Sequence, residues 1–163
     1  MGERAKKERL IAVKLDEETL AQRNVEQEHE RIAAISDILA DNRFSVCGYD
    51  NGPYILCVGI VETKLYFAVY NDAKHPIITH HLSLTPFRRV LRDYTLLCDS
   101  YEKAIKSGSI ARLEAIDMGR RGLHNEAAEI LLGRLKGKFE LDFDTARRLF
   151  TLVFALYWKG DDV

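Results

Sequence analysis

Tyr54-Ile-Leu-Cys-Val-Gly-Ile-Val-Glu-Thr-Lys-Leu-Tyr-Phe-Ala-Val-Tyr70 holds two runs rich in β-branched and aromatic residues with only Glu62-Thr63 between them. Runs of this composition, bounded by polar turn residues, read as strands. Asn51-Gly-Pro53 supplies turn chemistry before the first run, and Asn71-Asp-Ala-Lys-His75 is a polar connection after the second. Pro76 to Leu82 then reads as a further strand, and the β texture begins at Phe44. Links this short cannot carry a crossover to a parallel neighbour, so the segment predicts an antiparallel meander.

Working outward, Leu10-Ile-Ala-Val-Lys-Leu15 reads as a first strand, and Asp16-Glu-Glu-Thr19 as a helix-start composition. Val25 to Ala40 places Ile32, Ile35 and Leu39 at helical spacing. The acidic run Glu26-Gln-Glu-His-Glu30 reads as the solvated first turns of that helix, where carboxylates suit the dipole, with His29 on the surface. Met1 to Glu8 is charged and expected to fray. Downstream the periodicity changes to 3.6 residues. Pro86 to Lys106 carries Phe87, Val90, Leu91, Tyr94, Leu97, Cys98, Tyr101 and Ile105 as one stripe. Ser107-Gly-Ser109 breaks it, Ser109 can cap the next helix, and Gly137 ends that helix near Lys136. A last helix starts near Asp142 or Asp144 and runs to Lys159. Strands followed by helices predict an α+β fold: a three- to five-stranded antiparallel meander packed against C-terminal helices, in a single domain.

The chain has 163 residues, 47% apolar and 30% charged, with a formal net charge of -1. That length can bury a core without metal or disulfide staples. The balanced charge gives no global field for nucleic acid or anionic membrane, which leaves only a local basic patch. Nucleic-acid binding ranks third among the function classes, because carboxylates along the same helices balance the basic pairs. Cys47, Cys57 and Cys98 are odd in number, lie in apolar contexts and form no C-x-x-C pair, so they read as buried free thiols in a reducing cytosol. No secretory signal precedes the first strand. The longest apolar run, Leu149 to Trp158, is about half of what a bilayer span needs, so the expectation is a soluble cytoplasmic protein.

Two stretches carry candidate chemistry. In Thr79-His-His-Leu-Ser-Leu-Thr-Pro-Phe-Arg-Arg89, Thr85 reads as an N-cap and Pro86 as the first helical residue. His80 and His81 then point to opposite faces of the entering strand, so they cannot share one metal without distortion. His80 reads as a histidine satisfied at the core edge that orients the strand-to-helix turn. Arg88 and Arg89 sit in the first helical turn, where the dipole disfavours cations. Either an anion binds there, or Arg89 pairs with Asp93 and Arg88 is solvated. In Asp117-Met-Gly-Arg-Arg-Gly-Leu-His-Asn-Glu126, a helical reading puts Asp117, Arg121 and His124 on one stripe. Gly119 and Gly122 cost about 1 kcal/mol each relative to alanine and call for a reason, close helix packing before a kink. The sharper reading has a kink presenting Arg120, Arg121 and His124 to an anion, with His124 or Glu126 as acid or base. Arg147-Arg148 repeats the pair, with Asp142 and Asp144 as local partners. No P-loop, G-x-G-x-x-G, H-E-x-x-H or G-x-S-x-G motif occurs, and neither a metal nor a cofactor is expected.

Glu28-His-Glu-Arg31, Thr79 to Arg89, Glu114 to Glu126, Asp142-Phe-Asp-Thr-Ala-Arg-Arg-Leu-Phe150 and Trp158-Lys-Gly160 together resemble an uncharacterised protein family of alphaproteobacteria. The resemblance covers roughly Leu10 to Gly160. It implies a bacterial, cytoplasmic, single-domain protein and transfers no activity or site. The leading expectation is a non-enzymatic binding or regulatory protein that forms a homodimer. The dimer follows from Leu149 to Trp158, which is apolar almost all round and needs cover from flanking helices or a second subunit. The alternative is a small enzyme or sensor for a phosphorylated or carboxylated metabolite. A small anionic ligand would then meet His80, Arg88, Arg89, Arg120, Arg121, His124 and Glu126.

Overall fold

A computed structural model describes residues 6–16 and 25–157, with side chains of the second segment from Glu28 onward. The elements run β1 (Leu10–Leu15), α1 (Val25–Ala40), β2 (Phe44–Val46), β3 (Tyr54–Val61), β4 (Lys64–Asn71) and β5 (Pro76–Ser83). A 3-10 turn (Thr85–Phe87) leads into α2 (Arg88–Ser107), α3 (Ile110–Leu135), β6 (Phe139–Leu141) and α4 (Phe143–Tyr157). Of the sequence expectations, the fraying of Met1 to Ala5, the helix start over Glu17 to Thr19, the side chains of Glu26 and Gln27, and the end of the last helix from Trp158 to Lys159 lie outside the described residues.

The meander forms as its short links require. Val61 stands opposite Lys64 across the Glu62-Thr63 turn, and Lys64 opposite Ser83 across the next pair. Glu62 closes its turn at φ +59°, in the left-handed region that favours glycine. The sheet order is β1-β3-β4-β5. β1 extends the meander on the far side of β3 and runs parallel to it. A parallel neighbour needs a long connection, and α1 lies within that connection. A separate pair, β2 with β6, sets Phe44 opposite Leu141 and Val46 opposite Phe139. Phe139 carries this pair onto the main sheet, with its ring 5.1 Å from His80 and 6.4 Å from Phe67.

Alternation along the strands gives the sheet one core face. Leu56, Val58, Phe67 and Val69 are fully buried there, together with Leu82. α4 lies against β3 and also contacts α1 and α3. Leu149, Phe150, Leu152, Val153, Phe154 and Leu156 are all buried inside this one chain. The apolar girdle of α4 is therefore covered by its own α1, α3 and sheet, so Phe150 and Phe154 do not require a second subunit.

Local capping follows the sequence in part. Ser109 Oγ accepts from the Arg112 amide at 3.3 Å and starts α3, and Gly108 (φ +71°) ends α2. Thr85 departs from its expected role. Its side chain caps nothing; the chain enters α2 through the 3-10 turn, and the Thr85 amide donates to Ser83 Oγ at 3.2 Å. α3 runs unbroken through both of its mid-helix glycines. A Cβ on Gly119 would stand 3.3 Å from Leu97 Cδ1 of α2, which is the close packing expected, whereas Gly122 has open space around it. Asp142 holds the start of α4. Its carbonyl accepts from the Ala146 amide at 3.1 Å, and its carboxylate accepts from the Thr145 hydroxyl and, at 3.0 Å, from the Arg43 amide.

Candidate functional site at the helix junction

The antiparallel pairing of α2 and α3 brings together two of the sequence candidates around a residue that looked like core. Tyr94 is 1% exposed on α2, and its ring packs on Phe150 and Phe154 at 5.8 and 4.4 Å. Its hydroxyl cannot be buried without partners. It accepts from Arg120 Nη2 at 3.2 Å and lies 2.9 Å from His124 Nε2, both on α3. Arg120 also bridges to Glu30 on α1, and its guanidinium sits 5.7 Å from the ring centroids of both Tyr94 and Tyr101. Four helices thus contribute to one cluster, because the backbone of Arg147 on α4 faces the His124 ring.

Burial sets the protonation states. It lowers His124 to about 4, with the charges of Arg147 and Arg120 adding to the effect, so the imidazole is neutral near pH 7. Burial likewise raises Tyr94, and Glu30 adds to the rise; Cys98 is pushed up to about 12 for the same two reasons. Neither a phenolate nor a thiolate is available here at neutral pH. The Nε of Arg147 is buried without a hydrogen-bond partner among the described residues.

The other candidates lie elsewhere. Arg89 is exposed and bound to Asp93 at 3.1 Å, as the sequence suggested, and it also bridges to Glu126 across α2 and α3. Arg88 and Arg121 are exposed, and of the two adjacent arginines within a turn of His124 it is Arg120 that turns inward to Tyr94. His80 is half-buried on the core side of the sheet and edge-on to Phe139, with no hydrogen bond to its ring among the described residues. Burial lowers its pKa, with Lys138 and His81 adding to the shift. His81 faces the opposite side, 6.4 Å from the Tyr66 ring. Arg148 donates to the Asp41 carbonyl at 3.1 Å, not to Asp142 or Asp144.

Two features escaped the sequence reading. Glu30, assigned to a solvated helix turn, is the counter-ion of Arg120. On the sheet face away from the helices, Tyr66 lies over Gly59 and donates to Asp16 at 2.5 Å. A cross-strand signal for the second was present, because a two-residue turn at Glu62-Thr63 puts Gly59 opposite Tyr66. Cys57 neighbours Tyr66 there, and burial with Asp16 raises its pKa. The three cysteines are free and half-buried rather than buried. No helix among the described residues is long and apolar enough to cross a membrane.

The model of one family, the uncharacterised protein family UPF0262, matches residues 7–159. The chain belongs to UPF0262. A UPF0262 protein of Methylobacterium radiotolerans is 59% identical over 152 residues, covering 93% of this chain and 94% of the relative. A UPF0262 protein of Rhizobium johnstonii is 52% identical over 152 residues, covering 93% and 96%. One from Xanthobacter autotrophicus is 50% identical over 153 residues, covering 93% of each. No solved structure matches the chain significantly. The UPF0262 description carries no activity.

Proposed function

We propose that this chain is a small non-enzymatic binding or regulatory protein of the bacterial cytoplasm that works as a homodimer. The observation that supports the reading is how Arg120 and His124 are used. Arg120 is committed to Glu30 and Tyr94, and His124 to Tyr94 and the Arg147 backbone. A satisfied network of this kind positions helices; it does not present a base or an electrophile. Among the exposed candidate arginines, Arg89 is neutralised by Asp93 and Glu126. Sedimentation velocity tests the oligomer, and alanine substitution at His124 and Arg120 tests the network. The reading expects loss of thermal stability in both variants. A hydrolase or transferase activity abolished by His124→Ala in a still folded protein would overturn it.

One observation favours a second reading, a sensor or enzyme for a phosphorylated or carboxylated metabolite. Arg147 brings a second cation to His124 with its Nε unpartnered, while Glu30 is the carboxylate that bridges to Arg120. An anion entering there would oppose the effect of both arginines and raise the His124 pKa. Titration with inorganic phosphate and with citrate, followed by the His124 ring resonances, decides between the two. Saturable shifts with a raised pKa favour the sensor, and unmoved resonances favour the structural network.

A further inference from the structure

The main sheet has two edges, and they are finished differently. At the β1 edge, the Asn42 side chain stands in for a neighbouring strand. Its Oδ1 accepts from the Leu10 amide at 2.8 Å, and its Nδ2 donates to the Leu10 carbonyl at 3.0 Å. The adjacent Phe44 amide donates to the Glu8 carbonyl at 3.0 Å, so the start of this edge is occupied by the chain leading into β2.

The β5 edge has no such cover among the described residues. The Leu84 amide donates to the Thr63 carbonyl directly opposite, at 3.1 Å. In an antiparallel ladder the directly bonded pairs alternate. Leu82 with Leu65 and His80 with Phe67 are therefore bonded pairs, and the backbone groups of Thr79, His81 and Ser83 point away from β4. These three residues are exposed. Over eight residues, Pro-Ile-Ile-Thr-His-His-Leu-Ser, the strand carries no Lys, Arg, Asp or Glu. Soluble proteins usually blunt a long open edge with charge or cover it.

We propose that the β5 edge is the self-association surface, with a second copy of this chain as its occupant. Two β5 strands pair antiparallel about a two-fold axis and join the four-stranded sheets into one of eight strands. A second copy fits because an uncharged strand sets no like charges against itself, and a two-fold offers each outward N–H the outward carbonyl of an identical edge. The proposal rests on the homodimer reading above and moves the interface from α4 to β5.

The test compares the wild-type chain with Thr79→Pro by sedimentation velocity up to hundreds of micromolar. Proline at this position removes an amide that points outward, so the β4–β5 ladder keeps all of its bonds. The wild type should sediment at twice the chain mass, and Thr79→Pro at the chain mass or with a dissociation constant weaker by about ten-fold or more. Thr79→Lys, which puts a charge on the same edge without touching the backbone, guards against a folding defect and should weaken association in the same direction. A wild type that stays monomeric overturns both the dimer and its edge. A dimer that persists in both folded variants overturns the edge alone. Hydrogen exchange gives an independent reading: the Thr79 and His81 amides should become protected as concentration rises, and unchanged exchange would count against the pairing.

Discussion

Tyr94 Oη and His124 Nε2 stand 2.9 Å apart, with the Arg147 backbone against the same imidazole. The arrangement suits a neutral ring whose Nε2 accepts from the phenol and whose Nδ1 carries the proton. Protonating Nε2 would leave the phenol O–H without its acceptor and place a third cation beside Arg120 and Arg147.

Acid stability follows directly. The folded pKa of His124 lies at about 4, below its ordinary value of 6.5. The neutral form therefore contributes stability in full above pH 6.5, and this is lost as pH falls from 6.5 through 4. At about 1.4 kcal/mol per unit, the effect is on the order of 3 kcal/mol. The His124→Gln variant should be less stable near neutrality and lose less on acidification than the wild type. Urea midpoints at a series of pH values measure this, and an imidazole that titrates near 6.5 by NMR would sink it.

Adjacent arginines on α3 should behave unlike each other. Arg120→Ala leaves Glu30 without its cation and Tyr94 without a donor, at a cost of about 1–2 kcal/mol; partial exposure keeps it below the fully buried limit. Arg121→Ala, on the exposed side, should stay within about 0.5 kcal/mol of the wild type. Chemical denaturation of the two variants separates these outcomes, and equal effects would contradict the cluster.

The two mid-helix glycines also divide. Gly122 has open space where a Cβ would sit, so Gly122→Ala should stabilise by about 1 kcal/mol through helix propensity. At Gly119 the new methyl presses on Leu97, so Gly119→Ala should gain nothing or lose stability. Thermal melts of both provide the check.

Glu62 is the remaining lever. Its left-handed backbone suits glycine, and Glu62→Gly should stabilise the hairpin by roughly 0.5–1 kcal/mol after the entropy of glycine is counted. A lower melting temperature in this variant would show that the Glu62 side chain has a compensating role.

Much of this architecture could be read from local signals. The two-residue turn at Glu62-Thr63 set the register of β3 on β4, and strand alternation separated His80 from His81. What remained hidden depended on contacts between distant segments. The parallel placement of β1 needs tertiary packing to select it. β6 is three residues long, too short for any period to register. Tyr94 belonged to an apolar stripe by spacing, and only the approach of α3 and α1, with Glu30 lying 90 residues before Arg120, shows that its hydroxyl is a hub. Arg120 and Arg121 both lie within one turn of His124, and spacing alone does not show which of them turns inward to Tyr94.

The Asn42 amide has a consequence beyond the fold. In polymer terms, a sheet with two reactive ends is a bifunctional monomer and grows without limit, as cross-β fibres do. Seating one side-chain amide on Leu10 caps one of the two ends. A monofunctional unit can couple only once, so association through the β5 edge proposed above would stop at a pair. Asn42→Ala would uncap that end, and its signature would be turbidity rather than a shifted dimer.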